Sequence, residues 1–363
     1  MAVYSPKPAK EPPLLERGPI AWVRHNLLSS PFNIVFTILG IAILYMIIPP
    51  FVKWAILDAH FVGSSKADCG GDGACWIFVR EKLNMFFFGF YPHAELWRPK
   101  TVIAVILALG AFAKFVPGLH RLKLSLIVAY PVFAYLLLHG GHFGLPLVET
   151  SKWGGLLLTL VIATVGIVLS FPLGILLALG RQSKLPIIKS LSVFYIEFVR
   201  GVPLITVLFM ASVVLPLFFP EGINFDKLVR ALIGITLFEA AYVAENIRSG
   251  FQAIPKGQYE AADALGLGYW QKMALVILPQ AIKVTIPNLV GTFISLFKDT
   301  SLVMIIGLFD LLAMVTVTAN DRDWLGMDTE GYVFVAFVFW IFTFSMSMVS
   351  KRLEKKLNTD KGN

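Results

Sequence analysis

Ionisable side chains are scarce in this chain: Lys, Arg, Asp and Glu make up 15% of its 363 residues, against roughly a quarter in soluble domains. That shortage excludes the pair of soluble domains that the length would accommodate. Cysteine is almost absent. Cys69 and Cys75 are too few for a disulfide scaffold, form no CxxC pair, and have no histidines at zinc-ligand spacing. No GxxxxGK(S/T) occurs, so no nucleotide-phosphate loop is encoded, and there is no HExxH. The net charge of +8 comes without a basic run interleaved with aromatics in a polar segment, which argues against a nucleic-acid partner. The short alternating segments of a membrane barrel are missing, and no period of about 20–50 residues repeats.

Apolar residues dominate instead, 57% of the chain at a mean hydropathy of +0.74. They gather in long blocks rather than at amphipathic spacing. A bilayer core needs about 20 consecutive apolar residues per helix, and backbone groups in lipid must be paired within the segment. The blocks at 31–57, 101–116, 124–138, 153–180, 192–218, 228–247, 284–306 and 331–350 therefore predict eight spans in an all-α integral membrane protein. Lys298 and Asp299 interrupt the seventh, and the run 302–318 reads equally as part of a span or as a surface helix. Segments on the N-terminal side of the membrane hold 18 Lys and Arg, the opposite loops 9, so both termini are expected in the cytoplasm.

Residues 1–30, rich in proline and charge, read as a flexible cytoplasmic leader. The first apolar block follows it and is long enough to span, so it is expected to stay as an anchor rather than be cleaved. The chain then divides near residue 150 into a three-span region 31–150, with a large outer loop 58–100, and a five-span region 151–350. A basic tail 351–363 follows. Cys69 and Cys75 lie in the outer loop, where an oxidised pair and two free thiols are both open. Aromatics crowd the same loop (Trp76, Phe86, Phe87, Phe88, Tyr91, Trp97) and read as an interfacial belt. His139 and His142 flank a Gly-Gly turn with only Glu149 nearby and read as an ordinary turn rather than a metal site.

An ionisable group at bilayer depth costs about 2.5–3.5 kcal/mol on insertion scales, so it lines a wet cavity or pairs with another charge. Lys53 and Lys114 sit near block ends and can snorkel. Glu197, Arg200, Glu239, Glu245, Lys298 and Asp299 do not, and all fall in the last five blocks. Together with Arg248, Pro203, Tyr242, Thr300 and Ser301 they are the candidates for a translocation pathway or its gate. Glu197 and Arg200 stand three apart on one helix face, and so do Glu245 and Arg248; bracing ion pairs are the alternative reading. Pro203 removes a donor and Gly201 relaxes the chain, so a kink or break is expected there, about 12 Å into the span. A guanidinium beside such a break can present donors to a carboxylate.

The inner loop 248–283 contains a short helical stretch, Gln258 to Leu265, with Ala261, Ala262 and Leu265 at helical spacing and Gly266 at the C-terminal cap position. Such a helix suits a groove on a soluble partner, or the membrane surface.

These residues resemble a known family. Glu260-Ala261-Ala262, then Gly266, Val276 and Leu278-Pro279, look like the EAA loop of ATP-binding-cassette importer permeases, with Val276 in place of the usual isoleucine. FVRGVPLI (198–205), AAYVAENIRSGFQAIPKGQYEAA (240–262) and SLFKDTSL (295–302) resemble the polar amino-acid branch of that family. Val202 stands where the branch usually has threonine, and Ser249 where it has a glycine. The segment 74–99 is similar to the outer loop of the longer membrane subunits of general L-amino-acid permeases, of the M type.

The resemblance implies a type I importer fold, a five-helix core preceded by three extra helices, as a multi-pass protein of the bacterial inner membrane. It implies no catalysis and no cofactor in this chain: ATP and Mg would be bound by a separate homodimeric ATPase. Glu260, Ala261, Ala262, Leu265, Gly266 and Pro279 would couple to that ATPase. The other implied partners are a second, different permease subunit, a periplasmic amino-acid-binding protein and membrane lipid. A proton-coupled secondary transporter using Glu197, Glu239, Glu245 and Asp299 as relays is the alternative. It is disfavoured because such folds show broken helices in matching halves.

Overall fold

A computed structural model describes residues 18–116, 118–220 and 225–358; most of the expected leader and the end of the basic tail lie outside them. The chain forms two compact units, Met1–Ile77 and Phe78–Asn363. Residues 78–150, read in the sequence with the first spans, therefore cluster with the five-span region.

In the first unit, α1 (Gly18–Asn26) leads to α2 (Pro31–Val52). The Ser30 hydroxyl accepts from the Asn33 amide at 3.1 Å and Pro31 fills the first turn, the residues that suit a helix start. A wide turn, Lys53–Leu57, extends α2 past its two prolines. Beyond it Cys69 and Cys75, left open by the sequence, are disulfide-bonded. The Trp76 indole donates to Ala55 O at 2.7 Å, closing the loop back onto the helix end.

In the second unit, α3 (Trp76–Phe88), which starts at the boundary, precedes a hairpin of α4 (Trp97–Phe115) and α5 (His120–His139). Then come α6 (Gly155–Arg181), α7 (Pro186–Arg200), α8 (Leu204–Phe209) and α9 (Lys227–Ala253). After α10 (Lys256–Ala264) and α11 (Tyr269–Gln271), a wide turn at Lys272–Ile277 runs into α12 (Leu278–Asp299). Short α13 (Ala313–Ala319) and long α14 (Asp328–Asn358) complete the described chain. Among the described residues β-structure is limited to three isolated bridges.

α9 is the hub, packed on α6, α7 and α12. Small residues let it approach: a Cβ on Gly174 of α6 would stand 2.5 Å from Val243 Cγ1. That close contact matters because lipid supplies little hydrophobic drive between helices. The hairpin α4–α5 joins the same core through Val102 and Leu138, and Arg98, fully buried, pairs with Glu95 at 2.8 Å and donates to Pro146 O at 2.9 Å.

Among the described residues six helices are long and apolar enough to cross a membrane, or seven if α7 and the bent segment Leu204–Phe218, which begins with α8, are one broken span. The remaining expected block, 228–247, the sixth in order, lies in α9, which has 27 residues; its internal charges keep it from qualifying on composition. The break expected at Gly201 and Pro203 is there: α7 and α8 meet at 105°. The ambiguous run 302–318 is not one helix. It starts as a tight 3₁₀ turn, Thr300–Ile306, stops at Gly307, and continues into α13, buried beside α14.

Candidate functional site

A cavity of about 820 Å³ lies between the α7–α8 break, α9 and α12. One face of α12 lines it with Asn288, Gly291, Thr292, Ser295 and Asp299, which recur every three or four residues as a helix face must. Phe238, Glu239 and Tyr242 of α9 and the segment Arg200–Leu204 form the other walls. Glu239 is 4% exposed and its Oε1 has no hydrogen-bond partner. A buried polar atom without a protein partner needs water or a ligand, and the cavity supplies room for either. Farther along α9, the Asn246 amide donates to the Thr292 hydroxyl at 2.8 Å and ties the two walls together.

Six residues, or about 9 Å, beyond Glu239 toward α10, the charges gather into a cluster in which each acid has a close cationic partner. Arg181 at the end of α6 meets Glu197 at 2.7 Å and Glu245 at 3.6 Å. Arg248 holds Glu245 at 2.5 Å. Arg200 approaches Glu245 to 3.5 Å and Glu197 to 3.9 Å, and its guanidinium lies 5.8 Å from the Tyr242 ring centre. Three cations and two anions thus join α6, α7 and α9.

The structure distributes the expected pathway residues over three places. Arg200, Pro203, Glu239, Tyr242 and Asp299 line the cavity. Glu197, Glu245 and Arg248 belong with Arg200 to the ion lattice. Lys298, Thr300 and Ser301 do neither. Lys298 is exposed, and the Thr300 and Ser301 hydroxyls donate to Phe297 O and Lys298 O, each at 2.9 Å, where α12 tightens. Sequence reasoning missed Arg181, counted as a loop charge, because nothing local ties it to Glu197. It also missed Asn288, Thr292 and Ser295, although polar residues at helical spacing within an apolar block are a readable signal.

Asp310 was missed as well. It follows Gly307, outside the candidate spans, and is fully buried. One oxygen accepts from the Ala313 amide at 2.9 Å, while Oδ2 has no partner. Burial pushes its carboxyl up to about 6.

On the loop after α9, Glu260, Ala261 and Leu265 are exposed, Leu265 by 79%. Ala262 is instead buried, 2% exposed. Gly266 ends α10 at φ +73°, where a side chain is strained. Its amide donates to Asp263 O and that of Leu267 to Ala262 O, a pairing that satisfies the last carbonyls. Lys272 clamps Asp263 at 2.5 Å and Gln280 donates to Gln258 at 3.0 Å, fixing α10 to the start of α12 beside exposed Pro279.

Residues 170–359 match the model of the family described as binding-protein-dependent transport system inner membrane component. The chain is 55% identical to the inner membrane amino-acid ABC transporter permease protein YhdY of Escherichia coli over 94% of its length and 93% of that protein's. It is 41% identical to the glutamate/glutamine/aspartate/asparagine transport system permease protein BztC of Rhodobacter capsulatus, over 99% and 97%. A crystal structure of an amino acid ABC transporter with histidines aligns over 56% of this chain and 92% of that one, at 31% identity and a TM-score of 0.49. The chain belongs to the family of binding-protein-dependent transport system inner membrane components and is an ABC transporter permease subunit.

Proposed function

We propose that this chain forms an amino-acid pathway of a type I ABC importer, with the cavity between α9 and α12 as its cargo chamber. The observation that carries this reading is the chamber's polarity: Glu239 and Asp299 on its walls, Arg200 at the helix break and a stripe of neutral polar groups on α12. A zwitterion of small size meets both signs of charge there. Family membership and the names of relatives supply the class of cargo.

Both termini are placed in the cytoplasm on the charge count. A separate ATPase then receives the exposed face of α10, with Glu260, Ala261 and Leu265 toward it and Gly266 shaping the turn behind. ATP and Mg belong to that ATPase. A second permease subunit and a periplasmic binding protein complete the assembly.

The test is uptake by the purified complex in proteoliposomes. ATP supplied on the side that corresponds to cytoplasm drives transport of a labelled L-amino acid, and vanadate stops it. Glu260→Lys lowers uptake and ATPase stimulation while the subunit stays in the membrane. Uptake driven by an ion gradient with the ATPase removed overturns the proposal.

A further inference from the structure

Three guanidinium groups meet two carboxylates where α6, α7 and α9 join, so one cation is surplus. The distances identify it. Glu197 has its close partner in Arg181 at 2.7 Å, and Glu245 has Arg248 at 2.5 Å. Arg200 stands 3.9 and 3.5 Å from those same carboxylates, beyond ordinary hydrogen-bond reach. Its Nε is buried and donates to nothing. Of the three arginines, Arg200 is the one on the cavity wall. A guanidinium carries five donors in a planar fork that fits a carboxylate, and here the residue that carries it lines the chamber with no carboxylate closer than 3.5 Å.

We propose that Arg200 reads the α-carboxylate of the passing amino acid, and that it does so by exchanging Glu245 for the cargo. This rests on the cavity being the amino-acid path. The exchange leaves no stranded charge: Glu245 keeps Arg248 at 2.5 Å and Arg181 at 3.6 Å, and Glu197 keeps Arg181. What is lost is one of the links from α7 to α9. Glu245 precedes the end of α9 at Ala253 by eight residues, and α10 begins at Lys256. Occupancy of the chamber is thereby felt at the base of the helix that leads to the coupling element. A cargo analogue whose carboxylate is replaced by a neutral amide enters without drawing Arg200 away.

The experiment compares L-glutamine with its α-carboxamide on the full complex, permeases and ATPase together, purified in detergent without the binding protein. Competition against radiolabelled L-glutamine measures affinity, and ATPase rate measures the response. Wild type favours the acid by roughly 10- to 100-fold, the range of a charge-assisted contact, and only the acid changes the ATPase rate. Arg200→Gln keeps its affinity for the amide, which shows a folded chamber, and loses most of the preference for the acid. Arg200→Lys retains the charge without the fork and falls between the two; it serves as the test should Arg200→Gln not assemble.

Equal affinities in wild type, or an undiminished preference in either variant, overturn the assignment. A wild-type complex that takes up amino acids with ATP yet treats acid and amide alike refutes only the role of Arg200. A complex that takes up no amino acid refutes the pathway reading beneath it.

Discussion

Glu239 and Glu245 sit on the same helix six residues apart, and their surroundings are opposite. Glu245 is ringed by Arg181, Arg200 and Arg248. Glu239 is more deeply buried, yet one of its oxygens has no partner and it faces the cavity. A membrane protein that only needed helices to cohere would treat both acids as it treats the first, because an unpaired ionisable group in such a setting is costly. The contrast sets a paired acid against one with an unclaimed oxygen, and substitutions can test whether the second serves the proposed cargo path.

The largest effect is expected at the bracing acid. Glu245→Leu removes the partner shared by three arginines and leaves cations uncompensated, at a cost of about 3 kcal/mol. Thermal unfolding of the detergent-purified complex should show it as a clear fall in Tm together with lost uptake; an unchanged Tm breaks the distinction. Next comes the unpaired acid. Glu239→Gln keeps size and shape while removing the charge, so stability should hold or rise slightly while uptake falls roughly tenfold or more. A destabilised Glu239→Gln with normal uptake would place this acid among the braces.

An effect on stability alone, confined to higher pH and with uptake untouched, concerns Asp310, the buried acid outside the spans. Its folded carboxyl is raised from 3.8 to about 6, so the folded state holds its proton more tightly than the unfolded chain does. The associated stability is present below about pH 4, fades as pH rises to about 6, and is absent above. Asp310→Asn keeps an acceptor for the Ala313 amide and removes the titration. The variant should be more stable than wild type at pH 8, by at most about 3 kcal/mol at 1.36 kcal/mol per pH unit, and equal to it at pH 4. Unfolding curves at the two pH values decide this.

Much of the architecture is legible in the order of the amino acids. Block length and the rarity of charge make the spans visible, since lipid forces backbone pairing within each helix. Gly201 and Pro203 announce the break, because a missing donor is a local fact. The α7 start at Pro186 is less legible: that helix is amphipathic, and its first turns look like loop. Pairings between distant segments are illegible for a general reason. Arg181 reaches Glu197 and Glu245 only after α6, α7 and α9 pack, and no spacing within one helix encodes that meeting. Glu197 with Arg200 and Glu245 with Arg248 are visible as i,i+3 pairs. Their merger into one lattice, with Arg200 its loosest member, depends on tertiary structure. Ala262 misleads for a related reason: its period fits the exposed face, but α10 packs against the turn Lys272–Ile277 and Ala262 is buried.

The uninterrupted course of α9 has a mechanical meaning. Its 27 residues make a rod about 40 Å long, carrying a chamber wall partway along and ending at the two-residue joint Ile254-Pro255. Torque applied at that joint has no softer element in which to dissipate before it reaches the wall. With α10 as the proposed coupling element and the cavity as the proposed chamber, motor and vestibule would sit in series on a single shaft, where a few degrees of tilt at one end become ångströms of travel at the other.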